Sequence, residues 1–211
     1  MRTNSMDNLV VLKTAFFNRD PRRVARSLLG KLLIRKNPHG ILAGRIVETE
    51  AYLGEGDAAA HSAAGRTPRN AVLFGPPGYA YVYFIYGNHY CLNVSCLPDG
   101  IAGGVLFRAM EPVAGVEQMA EARGIEKKSD LNEVSLLRKI SSGPGRLCEA
   151  MGVTRARDNA KNFVSPGSDL QLTDDGYRVR NVTVTPRIGI VKSAGQLLRY
   201  FIAESSFVSR R

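Results

Sequence analysis

An α+β fold, one compact domain built on an antiparallel β-sheet, is what the sequence predicts. Three observations carry the prediction. Strand-like and helix-like segments come in blocks, without the regular alternation that builds a parallel sheet. The strand-like segments are joined by short Gly- and Pro-containing turns. A chain of 211 residues with 44% hydrophobic content is long enough to bury one sizeable core.

Residues 1–12 read as an N-terminal tail, residues 13–205 as the domain and residues 206–211 as a C-terminal tail. The opening "MRTNSMDNLVVLKT" holds only a short apolar run, too short for a signal-peptide core, and nowhere is there a run of about 18 apolar residues of the kind that spans a membrane. In "DPRRVARSLLG", Asp20 can cap a helix, Pro21 suits its first turn, and Val24, Leu28 and Leu29 line one side before Gly30. The segments "GKLLIRK" and "GILAGRIVETEAYLG" predict a hairpin turning at "NPHG". A loop rich in Gly, Ala and Pro follows, from "GEGDAAAHS" to "FGPPG", and loops of this kind commonly carry function. Then "YAYVYFIY", "YCLNVSCL" and "GGVLFRAMEP" predict a three-strand antiparallel run. "PVAGVEQMAEARG", "LNEVSLLRKI" and "SGPGRLCEAMG" read as helices, and "VTVTPRIGIVK" returns to strand.

Composition narrows the chemistry. Cys91, Cys96 and Cys148 form no CxxC pair and no ligand set with His39, His61 and His89, which argues against a disulfide framework or a zinc site and for reduced core thiols in a cytoplasmic protein. Neither a dinucleotide fingerprint nor a GxxxxGK[ST] loop is present, so nucleotide-cofactor chemistry is not expected. The net charge of +10 favours an anionic partner such as nucleic acid. That charge is uneven. Residues 1–47 are strongly basic, residues 48–154 mildly acidic and residues 155–211 basic again. The ends can contact phosphates while the middle supplies something that a polyanion would not attract.

The acid concentrates in "GRIVETEAYLGEGDAAAHS". On a strand, Ile46, Glu48, Glu50 and Tyr52 share a face, so two carboxylates lie beside an aromatic ring. Both could face solvent or pair with arginines; alternatively, one is partly buried, which is costly unless it is paired or functional. A second cluster holds five of the eight tyrosines, Tyr79, Tyr81, Tyr83, Tyr86 and Tyr90, around the turn "YGNHY". Strand tyrosines ordinarily pack with one edge wet. Tyr86 differs, because it precedes Gly87 at the hairpin tip, where a large ring has no core to join; in a basic protein such a ring can wedge into a base stack.

With these residues in view, the chain resembles the alkyladenine type of 3-methyladenine (alkylpurine) DNA glycosylase, the family distinct from the helix-hairpin-helix glycosylases. "LLGKLLIRK", "GRIVETEAYLG", "AAHS", "TPRN", "YVYFIYGNHYCLNVS", "VLFRAMEP" and "SGPGRLC" resemble its blocks in order. The resemblance implies a single compact domain with a curved antiparallel sheet, flanking helices and a protruding β-hairpin. It also implies a monofunctional hydrolase that flips alkylated or deaminated purines out of duplex DNA, those of the 3-methyladenine, 7-methylguanine, hypoxanthine and ethenoadenine class. The enzyme would cut the N-glycosidic bond and leave an abasic site. Glu50 matches the general base that activates water. Tyr52 and Tyr83 match the aromatic walls of the base pocket, His61 its histidine, Asn93 its floor, and Arg108 a polar group near the nucleotide. Tyr86 matches the intercalating wedge, and Glu48, to which the family pattern gives no chemistry, is expected to be either structural or a group that supports the site from behind. The implied partner is double-stranded DNA containing damaged purines, bound by a monomer with no cofactor, no metal and no membrane. The tip departs from the pattern at Asn88 and His89, where relatives can be more apolar. Two other readings stay open on the residues alone: a non-catalytic nucleic-acid-binding module, and a hydrolase of free purine nucleosides. A wedge is of no use to the second, and Glu50 is of no use to the first.

Overall fold

The computed structural model describes residues 9–126 and 133–210. The elements run β1 (Val10–Val11), α1 (Thr14–Phe17), α2 (Pro21–Leu28), β2 (Leu32–Asn37), β3 (Gly40–Tyr52), a 3-10 turn at Ala71–Phe74, β4 (Ala80–Ile85), β5 (His89–Ser95) and β6 (Gly104–Ala114). They continue with α3 (Val116–Ala122), α4 (Val134–Ser141), α5 (Pro144–Ala150), α6 (Arg155–Asp158), β7 (Leu170–Asp174), β8 (Val182–Thr185) and β9 (Arg199–Ile202). Every strand pair among the described residues is antiparallel, in the order β1-β7-β2-β3-β6-β5-β4. The sheet curls into a half-barrel with helices against it, so the α+β single-domain expectation holds.

β3 is the hub. Along one edge it pairs with β6; along the other it pairs with β2 as far as Arg45, and with β9 over Glu48–Glu50. The change of partner coincides with two register shifts, one around Val47 on β3 and one around Arg108 on β6. Such bulges twist a strand and re-aim its side chains. Strict alternation through "RIVETEAY" fails here as a result: Ile46 joins Val47 in the apolar core instead of sharing a face with Glu48. Beyond the bulge the alternation resumes. Thr49 and Ala51 face the core side, where Thr49 Oγ1 donates to the Ala25 carbonyl of α2 at 3.0 Å, while Glu48, Glu50 and Tyr52 face the opposite side.

The same parity runs through the neighbouring strands. Val82 of β4, Leu92 and Val94 of β5, and Val105 and Phe107 of β6 enter the main core with α2 residues Val24 and Leu28 and α5 residues Leu147 and Cys148. Cys91, Cys96 and Cys148 are all buried free thiols, as composition led one to expect. α2 begins as read, with Asp20 accepting from the Arg22 backbone N–H and Pro21 in the first turn.

The ends differ from the sequence reading. Val10 and Val11 pair with β7, and Leu12 is buried, so these residues belong to the fold; the rest of the expected N-terminal tail, residues 1–8, lies outside the described residues. Phe207 and Val208 are also buried, and Ser209 bonds to Glu48, so residues 207–209 of the expected C-terminal tail pack into the domain. Alternation identifies such short segments poorly, because their burial depends on what they meet. β8 stops at Thr185, where Pro186 has no N–H to extend the ladder, so "PRIGIVK" is loop instead of strand. β7 and β9, not identified in the sequence, are five and four residues long and buried except at Asp174, which ends β7 half-buried. The beginning of "LNEVSLLRKI" lies outside the described residues, and α4 starts at Val134. Among the described residues no helix is long and apolar enough to cross a membrane.

Gly54 begins the loop after β3 with φ of 85°, and a Cβ there would stand 1.9 Å from the Ala102 carbonyl oxygen. Neither backbone can yield without moving the sheet edge. Gly54→Ala is therefore expected to lower stability by about 2–4 kcal/mol, read as a shift in a denaturant midpoint; a loss under about 1 kcal/mol would show that the loop relaxes freely.

Candidate active site

The face of the sheet opposite the main core carries one cavity of about 180 Å³. Tyr52 from β3, Tyr83 from β4, Asn93 from β5 and Arg108 from β6 all line it, as do His61 from the loop after β3 and Tyr86 from the β4–β5 turn. Six side chains expected at a site from sequence thus meet at one place. Glu50 does not form part of the wall. It is fully buried behind Tyr52, Arg108 and Ile188, all of which line the cavity; Tyr52 and the Ile188 N–H donate to its carboxylate, and Arg108 forms an ion pair with it. Tyr52 Oη donates to Glu50 Oε2 at 3.0 Å, and the Ile188 N–H donates to Oε1 at 2.8 Å. Arg108 Nη1 stands 3.1 Å from Oε1.

Burying a carboxylate this deeply is costly unless it is paired and hydrogen-bonded. Glu50 satisfies both conditions, and so does Glu48 beside it. Glu48 accepts from Arg108 Nε at 2.9 Å, Arg199 Nε at 2.7 Å, the Ser209 N–H at 2.7 Å and Ser209 Oγ at 2.9 Å. Two carboxylates and two guanidinium groups thus form a charge-balanced buried chain. Burial by itself would lower the Arg108 pKa, but Glu50 and Glu48 outweigh it and hold the guanidinium above its ordinary value. Burial and then the Glu50 charge push the Tyr52 phenol far up, which keeps it a donor at neutral pH.

His61 and Tyr83 pack edge to face with ring centroids 4.4 Å apart, too close to admit a base between them, so they form one wall together. His61 Nδ1 lies 2.9 Å from Tyr81 Oη. Desolvation against these rings, with Arg69 adding, lowers the His61 pKa, so the imidazole is neutral at neutral pH. Burial raises the Cys91 thiol, which leaves it no nucleophile there. Asn93, fixed by its Nδ2 donating to the Tyr81 carbonyl at 3.1 Å, is nearly enclosed. Tyr86 is the opposite case: it is 81% exposed, with φ of 55°, followed by Gly87 at φ of 74°. A left-handed backbone in an aromatic residue is uncommon and marks a constrained turn that holds the ring outward.

Several site-building residues were missed in the sequence. Asp57 and Arg187 form a fully buried bidentate pair, at 2.6 and 2.7 Å, and the Arg187 guanidinium lies 4.5 Å over the Tyr52 ring. Asp57 also accepts from the backbone of Leu53 and Ala59. The pair pins the loop after β3 to the loop after β8, and so presents the Ile188 N–H to Glu50. Asn70 ties the same loop down, donating to the carbonyls of His61 and Gly65 at 2.9 and 3.0 Å. Asp57 was visible as one acid of the acidic segment, with nothing to mark Arg187 as its partner; a backbone donor such as Ile188 leaves no trace in side-chain chemistry. Among the described residues no group of three or more His, Cys, Asp or Glu could hold a metal.

Residues 15–206 match the family model described as Methylpurine-DNA glycosylase (MPG). Curated proteins named "Putative 3-methyladenine DNA glycosylase" are similar over nearly the whole length. The one from Koribacter versatilis is 66% identical, over 99% of this chain and 98% of its own. Those from Methanocella arvoryzae and Alkaliphilus oremlandii are 44% and 39% identical, each over 95% of this chain and over 96% and 99% of their own. The chain belongs to the methylpurine-DNA glycosylase family.

The Asp57–Arg187 pair yields a pH-dependent prediction. Burial opposes charge on Asp57, but the Arg187 hydrogen bonds and the two backbone donors outweigh it and lower the pKa below 3.8. A carboxylate with a lowered folded pKa stabilises the fold above its unfolded value and loses that contribution as pH falls through the folded value. Asp57→Asn should therefore cost about 3 kcal/mol at pH 7, and the gap from wild type should narrow below about pH 4. A gap that is constant with pH in denaturant titrations would show that the pair's charge is not what matters.

Proposed function

We propose that this DNA glycosylase, acting as a monomer on double-stranded DNA, excises methylated and deaminated purines of the 3-methyladenine, 7-methylguanine, hypoxanthine and ethenoadenine class. The nucleotide is turned out of the stack, its base enters the cavity, and Glu50 activates the water that replaces it. The observation that carries this reading is the burial of Glu50 directly behind a cavity lined by Tyr52, His61 and Tyr83, beside an aromatic held out at a hairpin tip.

Each group has a task its surroundings suit. Tyr86 fills the gap left in the duplex, and extrusion is easiest where damage has already weakened pairing. Tyr52, Tyr83 and His61 offer π-faces and edges to a purine. Asn93, held in the cavity lining by its bond to the Tyr81 carbonyl, is the group that would reject a normal guanine through its exocyclic amino group. Glu50 Oε2 accepts from Tyr52 alone among the described residues, which leaves it able to take the proton of a water. The water oxygen then bonds to C1′, the N-glycosidic electron pair leaves with the purine, and an abasic site remains. The carboxylate also stabilises positive charge that develops on the sugar. Arg108 and the Ile188 N–H hold Oε1 and so fix the direction from which Oε2 approaches. A purine alkylated at N3 or N7 is cationic and leaves as a neutral base, whereas hypoxanthine must gain a proton as it departs.

Release of free base from duplexes that each carry one defined lesion tests the reading. Glu50→Gln should retain lesion binding while single-turnover release falls by about 10²-fold or more, at some cost in stability because the amide suits its three donors poorly. Release within a few-fold of wild type would remove Glu50 from the mechanism.

Tyr86→Ser should leave stability within about 0.5 kcal/mol, since the ring touches no core, but weaken the flipped state by about 1–3 kcal/mol. A fluorescent base beside the lesion reports this as a smaller rise on binding. A wild-type rise fully retained in the variant would make Tyr86 ordinary turn packing.

A further inference from the structure

Glu48 is fully buried, titratable and unused by the steps above, yet it shares Arg108 with Glu50. Arg108 Nε reaches Glu48 at 2.9 Å while its Nη1 stands 3.1 Å from Glu50. What else Glu48 holds comes from the far end of the chain. Arg199 donates from β9, where its Cα is the register partner of Glu50, and Ser209 donates twice, from backbone and hydroxyl. Ser209 Oγ also lies 3.4 Å from Arg108 Nη2, and Arg199 Nη2 donates to the Arg210 carbonyl. Phe207 and Val208 anchor this segment in the core.

We infer that Glu48, Arg199 and Ser209 are positioning residues, which divide the charge of Arg108 between the two carboxylates and so set how strongly Glu50 acts as the base. The inference rests on the assignment of Glu50 to water activation. A carboxylate beside a shared guanidinium competes for it, and every donor given to Glu48 weakens that competition. Glu48 with all its partners leaves Arg108 to orient Glu50 without neutralising it. The other titratable and charged groups facing Glu50 are Tyr52 on β3, Arg187 after β8 and Cys91 on β5. None of them touches Glu48, so changes at Glu48 and Arg199 alter one side of the balance alone.

The test is the acidic limb of the single-turnover pH profile, measured with full-length protein at saturating enzyme and fixed ionic strength on a duplex carrying one 7-methylguanine. Glu48→Gln removes a like charge near Glu50, so the limb should move to lower pH. Arg199→Gln removes an opposite charge, so the limb should move to higher pH, each by about one unit. The double variant should return towards wild type, and Arg199→Lys should stay with it. Shifts of opposite sign are not what a merely structural role produces. Two losses of rate without a shift, or two shifts in one direction, would overturn the inference. If Glu48→Gln does not fold, Arg199→Gln and the milder Ser209→Ala carry the test: upward shifts in both support it, and no shift in either overturns it. Failure of wild type to release any base would instead sink the reading of Glu50, a result these comparisons keep separate.

Discussion

The sharing of Arg108 between two fully buried carboxylates is the constraint on which the rest of the site depends. Neither Glu48 nor Glu50 could remain in the interior unpaired, and one guanidinium cannot satisfy both. The deficit is met by elements that are distant in sequence: Arg199 on β9, Ser209 near the end of the chain, and the Ile188 N–H after β8. The two carboxylates at the centre of a curled sheet thus fix where Ile188, Arg199 and Ser209 lie. This pairing also accounts for a basic protein's placing acid at its centre: the negative charge is locked among fixed cations.

The backbone makes this arrangement possible. Bulges at Val47 on β3 and at Arg108 on β6 interrupt the ladder at the same level and direct Glu48, Glu50 and Arg108 to one side. The change of partner on β3, from β2 to β9, brings Arg199 opposite Glu50. The Asp57–Arg187 pair then closes the other side, stacking a cation on Tyr52 and presenting the Ile188 amide. Core and cavity are consequently two faces of the same strands: Leu92 and Val94 of β5 point one way, Cys91 and Asn93 the other.

The sequence was legible where the physics is local. The β2–β3 hairpin, the three-strand run of β4 to β6, the Asp20 cap of α2 and the exposed Tyr86 all follow from period, turn chemistry and capping. Tyr52, His61, Tyr83, Asn93 and Arg108 were nameable because their motifs resemble those of a known family, and they do converge. What could not be read was long-range. The bulge at Val47 reverses the expected side of Ile46 and has no signature in "RIVETEAY". β1, β7 and β9 are too short for periodicity, and Ser209 looked like part of a tail because its role exists only once Glu48 needs a partner. Arg187 resembled one more basic residue until its burial against Asp57 was seen.

The central claim is that a damaged purine enters the cavity while Glu50, fixed by Arg108 and Ile188, presents Oε2 to the attacking water. A crystal structure of the protein on a duplex carrying a non-hydrolysable analogue of a damaged purine nucleotide tests this most directly. The account predicts the base against Tyr52, Tyr83 and His61, the Tyr86 ring in the vacated stack, and a water within about 3 Å of Glu50 Oε2 and in line with the N-glycosidic bond. A base in the cavity whose C1′ faces away from Glu50, or whose nearest water is held by another group, would contradict it.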